Sequence, residues 1–70
     1  MEIKNEAHAL EMIAVWRKAS PQAQRRDINL AIQQLELNAM YYDQKGNATG
    51  ADRAEQCIRI LQEYLASLGK

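Results

Sequence analysis

The chain has 70 residues, and its nine Lys/Arg balance nine Asp/Glu, so the formal net charge at pH 7 is zero. A neutral chain has no overall field that would attract nucleic acid or an anionic membrane. Hydrophobic residues make up 47% of the chain, which is typical of a globular domain, and the single cysteine excludes an internal disulfide. No apolar run approaches the roughly 18 residues of a membrane span. We therefore expect one domain over residues 1–70, in the cytoplasm.

The first predicted helix covers residues 5–18, with Asn5 as its N-cap. At about 100° per residue, apolar side chains occupy more than half of its circumference. So wide an arc predicts burial on two sides. The main apolar face comprises Ile3, Ala7, Leu10, Ile13 and Ala14, and it is extended by Ala9, Met12 and Trp16.

The second predicted helix covers residues 21–45. Ser20 is a suitable N-cap, Pro21 fits the first helical position, and Gly46 is a natural helix stop. The main apolar stripe comprises Ile28, Ala31, Ile32, Leu35, Ala39 and Tyr42. A second, narrower seam on the opposite side comprises Ala23, Leu30, Leu37 and Tyr41.

The third predicted helix covers residues 50–67. Thr49 and Asp52 have the spacing of a capping box, with Gly50 at the first position. Short connections place consecutive helices antiparallel. The sequence thus predicts an all-α fold, a three-helix up-down-up bundle with a long central helix. The apolar stripe of the third helix comprises Ala54, Cys57, Ile58, Leu61, Tyr64, Leu65 and Leu68.

The second seam of the central helix has no obvious partner within the chain. The two neighbours of the middle helix in a three-helix bundle do not approach it from opposite sides, whereas its two seams are roughly opposed. One interpretation is a partly solvated seam, since scattered surface leucines are normal. The other is a contact surface for a second copy or another protein, because so small a domain gains from added support. The residues expected in this surface are Met12, Trp16, Leu30, Leu37 and Tyr41.

No residue pattern nominates a catalytic, cofactor or metal site. His8, the only histidine, has no acid that converges with it on one helix face, so we expect a surface or boundary position. Cys57 lies on the buried stripe of the third helix, which favours an inert core thiol over a nucleophile. We expect no enzyme activity and no cofactor.

A basic cluster surrounds the turn between the first two helices: Arg17, Lys18, Arg25 and Arg26. Charge runs are mostly solvated, but this one, with the amides Gln22 and Gln24, is an alternative site for nucleic acid or an acidic protein. A helix-turn-helix reader is disfavoured, because the turn contains proline and the second helix is too long for a recognition helix.

The sequence therefore favours a regulatory module that acts by stoichiometric binding to another protein, as a homodimer. Small accessory proteins of bacterial or phage type have this kind of composition. The alternative is a nucleic-acid-associated regulator that uses the basic cluster.

Overall fold

The computed structural model describes residues 3–69. Over this range the regular structure is helical, in the order α1 (Glu6–Trp16), α2 (Pro21–Gln44) and α3 (Ala48–Leu68). The predicted all-α class with three helices is confirmed. The molecule measures 38 × 20 × 18 Å. Its longest dimension matches α2, since 24 residues at about 1.5 Å each span about 36 Å.

The first two helices begin where their capping residues predict. The Asn5 side chain accepts a hydrogen bond from the backbone N–H of His8 at 2.8 Å. The Ser20 hydroxyl accepts from the backbone N–H of Ala23 at 3.2 Å, and Pro21 follows it as the first helical residue. Each cap satisfies one of the backbone donors that a helix start leaves unpaired.

Helix α1 is shorter than its sequence predicts, because its last turn tightens. The backbone N–H of Lys18 donates to Val15 O at 3.3 Å, and that of Ala19 donates to Trp16 O at 2.9 Å. These bonds span three residues instead of four, as is common where a helix ends. The chain then turns into α2 within four residues, 17–20.

The start of α3 differs from the predicted capping box. Asn47, not Thr49, is the N-cap, and its side chain accepts from the backbone N–H of Gly50 at 2.9 Å. The helix therefore begins at Ala48, inside the stretch predicted as a linker. Before it, Gly46 has a φ of 73°, the left-handed conformation that commonly follows a helix end.

Helix α3 packs extensively against both other helices, while the α1 and α2 backbones approach each other little. The largest fully buried side chains are Ile28 of α2 with Leu61 and Cys57 of α3. Gly50 allows a close approach at one end of the pair, since a Cβ there would lie 2.7 Å from the Tyr42 ring. The apolar stripes predicted for the second and third helices are the ones that supply this core.

The buried side of α1 is narrower than the predicted arc. It is formed by Ala9, Ile13 and Trp16, whereas Leu10 is 58% exposed. Ala7 and Ala14 are also exposed. A helix packed mainly on one neighbour buries one stripe, so the expectation of burial on two sides of α1 is wrong within the subunit.

One polar side chain lies in the interior. Gln24, predicted beside the basic cluster as part of an alternative binding site, is only 5% exposed. Its Nε2 donates to Ala19 O at 2.9 Å, and its Oε1 accepts from the Tyr64 hydroxyl at 2.5 Å. Both ends of the amide are thus satisfied, as burial requires. The contact joins the α1–α2 turn to the last third of α3.

The position of the α3 cap can be tested by alanine substitution. We predict that Asn47→Ala lowers the free energy of unfolding by about 1 kcal/mol, because it removes the acceptor for an otherwise unpaired N–H. Thr49→Ala is the matched control, and we expect a change within about 0.5 kcal/mol, since its side chain is exposed. Urea denaturation measures both. A larger loss for Thr49→Ala than for Asn47→Ala would contradict the assigned cap.

Candidate protein interface

Four large hydrophobic side chains project from the solvent side of α2. We call them the α2 face: Leu30, Leu37, Met40 and Tyr41, which are 58%, 60%, 58% and 57% exposed. Nine positions at 100° per residue place Leu37 opposite Ile28, whose side chain points into the core. The predicted second seam of the helix is therefore present as an exposed surface within the subunit.

Few charges lie along the α2 face. From Ile28 to Tyr42 the only charged residue is Glu36, which lines a groove against α3 together with Met40, the residue at that edge of the face. Between the leucines lie amide side chains, one of which, Gln34, donates to Asn38 Oδ1 at 3.1 Å. An uncharged apolar strip of this kind has the composition of the centre of a protein interface.

The charges are placed at the two ends of the face. At the N-terminal end, Arg26 Nε and Asp27 Oδ1 form an exposed ion pair of 3.3 Å. At the other end, Lys45 Nζ lies 5.6 Å from the centre of the Tyr41 ring. Tyr42 makes an edge-to-face contact with Tyr41, and it turns inward and is half-buried. The adjacent tyrosines thus point to different sides of α2, as expected from the 100° step.

Two of the predicted contact residues belong to the core instead. Trp16 is only 5% exposed, and Met12 is half-buried and packs against the core. Both lie on the side of α1 that contains Ala9 and Ile13. The apolar arc of this helix is so wide that the sequence does not show which part of the arc faces the core. An edge of Trp16 nevertheless lines a surface cleft beside Leu30.

Three exposed hydrophobic residues were not predicted in the contact surface. Met40 belongs to the α2 face, one helical turn from Leu37, and this spacing was a usable signal in the sequence. Leu10 and Val15 are each 58% exposed on α1. The periodicity of apolar residues in the first helix predicts Leu10 in the core. Its exposure becomes visible only from the way in which α1 packs on α3.

All four residues of the predicted basic cluster are exposed, and its three arginines also make contacts within the chain. The Arg17 guanidinium lies 5.6 Å from the centre of the Tyr64 ring, and Arg25 Nη2 donates to Leu68 O at 3.2 Å. Arg26 forms the ion pair with Asp27 described above, and Lys18 is exposed. These contacts hold two of the arginines against α3 instead of presenting them together on a flat surface.

His8 and Cys57 take the positions expected from the sequence. His8 is half-buried at the start of α1, and its Nδ1 accepts from the backbone N–H of Lys4 at 3.1 Å. Cys57 is buried in the core. Burial raises the pKa of its thiol, the carboxylate of Glu6 raises it further, and Arg53 opposes them. A protonated, covered thiol is a poor nucleophile.

The described residues contain no candidate metal site and no candidate membrane span. Among residues 3–69, no group of three or more His, Cys, Asp or Glu side chains is placed to hold a metal ion. None of the three helices within this range has the length and apolar character needed to cross a bilayer. Comparison with known proteins gives no matching family model, curated protein or solved structure.

The intramolecular contacts of the arginines generate a prediction about nucleic acid. We expect no measurable binding to duplex DNA or RNA at about 50 mM salt, where phosphate contacts are strongest. A fluorescence anisotropy titration at about 50 and 200 mM salt measures this. Binding that weakens steeply with salt, and that is lost in the double variant Arg25→Ala/Arg26→Ala, would instead support the alternative function.

The raised pKa of Cys57 predicts a pH effect on stability. The folded chain holds the thiol proton more tightly than the unfolded chain, so the free energy of unfolding falls as pH rises above the ordinary thiol value of about 9. Below that value the thiol is protonated in both states and contributes no pH dependence. Urea denaturation at pH 7 and pH 10 measures the fall. Cys57→Ala is the control, because it lacks the thiol. An equal fall in the free energy of unfolding from pH 7 to pH 10 in both proteins would contradict the assignment.

Proposed function

We propose that this protein acts by stoichiometric binding through the α2 face, as a homodimer, and that its role is regulatory rather than catalytic. The observation that carries the proposal is the exposure of Leu30 and Leu37, each by more than half, on the side of α2 that points away from α3. Aromatic residues and Met, which are enriched in interfaces, complete this face.

The size of the chain supports the proposal. A folded monomer of 8.0 kDa exposes about 4,450 Å² by the usual scaling, whereas this subunit exposes 4878 Å². The excess of about a tenth is consistent with an elongated subunit that completes its burial by association. A domain of this length commonly needs such support, because its single core contributes only about 3–5 kcal/mol.

The outer half of α2 is close in area to one side of a specific interface. The outer half of a helix about 36 Å long, with a diameter of about 10 Å, presents roughly 700 Å² to a solvent probe. Specific interfaces bury about 800 Å² per partner, and about 1,000 Å² in total separates them from fortuitous contacts. Because two helices in contact cover only part of each other's outer half, the contact along α2 reaches this range only together with bordering residues such as Trp16 beside Leu30.

We further propose that the helices run up-down-up, with α2 as the long helix that is central in chain order and α3 as the helix that both others contact, and that the protein acts in the cytoplasm. The hydrogen bond from Arg25, near the start of α2, to Leu68 O, at the end of α3, supports antiparallel α2 and α3. A single buried thiol suits a reducing compartment.

Substitution within the α2 face tests the proposal. We predict that Leu37→Glu weakens dimerisation by at least about 30-fold, because a charge in an apolar interface is desolvated without a partner. Helicity should be retained, since Leu37 is 60% exposed in the subunit. Sedimentation equilibrium and far-UV circular dichroism measure the two effects.

Leu10→Glu is the matched control, because Leu10 is equally exposed but lies on α1. We expect it to leave both dimerisation and helicity unchanged. Three results contradict the proposal: a monomeric native protein, a Leu37→Glu variant that unfolds, or equal loss of dimer in both variants. The second would show that Leu37 is a core residue.

A further inference from the structure

A cleft of about 420 Å³ opens beside the α2 face, where the end of α1 approaches α2. Its volume lies within the range of pockets that hold small organic groups. Apolar surface comes from Trp16, Leu30 and Ala31, and polar atoms come from Asp27 and Gln34. This combination suits a side chain with an apolar body and a polar tip.

Tyr41 is such a side chain, and it projects from the same edge of α2 as the cleft. Positions 27, 34 and 41 are seven residues apart, so they drift by only about 20° per step around the helix. Tyr41 lies seven residues beyond Gln34, about 10 Å along the axis, and cannot reach the cleft of its own subunit. Its ring is 57% exposed.

We propose that α2 packs antiparallel against α2 of a second copy, about a two-fold axis near the level of Leu35, so that each Tyr41 enters the cleft of the other subunit. The inference rests on the homodimer of the proposed function and assigns its geometry. Such a pairing is isologous, because the same surface is buried on both subunits.

The two-fold symmetry brings the matching edges together. The two-fold axis that relates two antiparallel helices lying side by side is perpendicular to the plane that contains both helices. Rotation about this axis leaves each edge of the α2 face on the same side of that plane in both copies. With Leu30 opposite Met40 of the second copy, Tyr41 is level with Asn29 of that copy. This level lies between Asp27 and Gln34 of the second copy, which border the cleft. The phenol hydroxyl then meets their polar atoms while the ring covers Leu30.

The end charges disfavour a parallel pairing. In the antiparallel one, Lys45 lies within about one helical turn of Asp27 of the second copy, which its own Arg26 already pairs, and level with Arg25, whose guanidinium bonds Leu68 O. A parallel pairing instead sets each charged residue beside its own counterpart, Lys45 beside Lys45 and Asp27 beside Asp27, which is repulsive. The uncharged centre of the face fits either direction, so the end charges decide.

Disulfide trapping tests the arrangement. Leu30→Cys and Met40→Cys are made as separate variants, mixed in equal amounts and oxidised under mild conditions, and the products are identified by mass. The expected product is the mixed disulfide between the two variants. The native chain is the control for Cys57, which is buried and should not form a cross-link. Predominant Leu30→Cys homodimers, which a parallel pairing or an antiparallel pairing about an axis near Leu30 would give, or the absence of a cross-link would overturn the arrangement.

Sedimentation of the native protein distinguishes failure of the homodimer proposal from failure of the proposed dimer geometry. A monomer overturns the homodimer itself and the arrangement with it. A dimer that forms the wrong disulfide overturns the arrangement alone and leaves the proposed function standing.

Trp16, the only tryptophan, reports directly on the cleft. Its emission should change when the dimer is diluted into monomers, because Tyr41 of the second copy leaves the cleft. We expect Tyr41→Ala to weaken dimerisation by at least about 10-fold and to abolish the emission change in the dimer that remains at high concentration. Tyr41→Phe, which keeps the ring, should retain the change. A native dimer whose Trp16 emission is unaffected by dissociation would overturn the assignment.

Discussion

The packing of α3 against both α1 and α2 is the interaction on which the rest of the structure depends. Leu61 and Cys57 on α3, together with Ile28 on α2, are the largest fully buried side chains. Because the two outer contacts meet on α3, the α1 and α2 backbones remain apart. This separation opens the cleft beside Trp16, while the far side of α2 is uncovered because it lies opposite the core stripe with Ile28. The exposed apolar surface is thus a consequence of where the core lies.

A thin core and a large apolar surface are two aspects of one physical constraint. A short chain has a high ratio of surface to volume, so it cannot bury every hydrophobic side chain within one subunit. Among the described residues, four of the six large exposed hydrophobic side chains lie on α2, where Glu36 is the only charge between Ile28 and Tyr42. Concentration makes them suitable for one defined contact, whereas scattered side chains would give only weak, unspecific attraction.

The sequence predicts α2 and α3 well and α1 poorly, and the reason is periodicity. On α2 two opposed stripes are separated by polar residues, so the core stripe with Ile28 and Leu35 and the outer seam with Leu37 can both be identified. On α1 apolar residues cover more than half of the circumference, and no local signal separates Trp16, which is buried, from Leu10, which is exposed. Gln24 escapes prediction because its burial depends on Tyr64, forty residues away.

In the turn between α2 and α3, the left-handed backbone conformation of one residue restricts which amino acids can occupy it. At Gly46 the φ of 73° lies where L-residues are strained, yet an added Cβ would meet no atom within 4 Å. Glycine is therefore favoured at this position because of the backbone angle and not because of a lack of space for a side chain. A mirror-image residue such as D-alanine has both the room and the preferred backbone angle. In a chemically synthesised chain it would stiffen the loop and leave every contact of α2 and α3 in place.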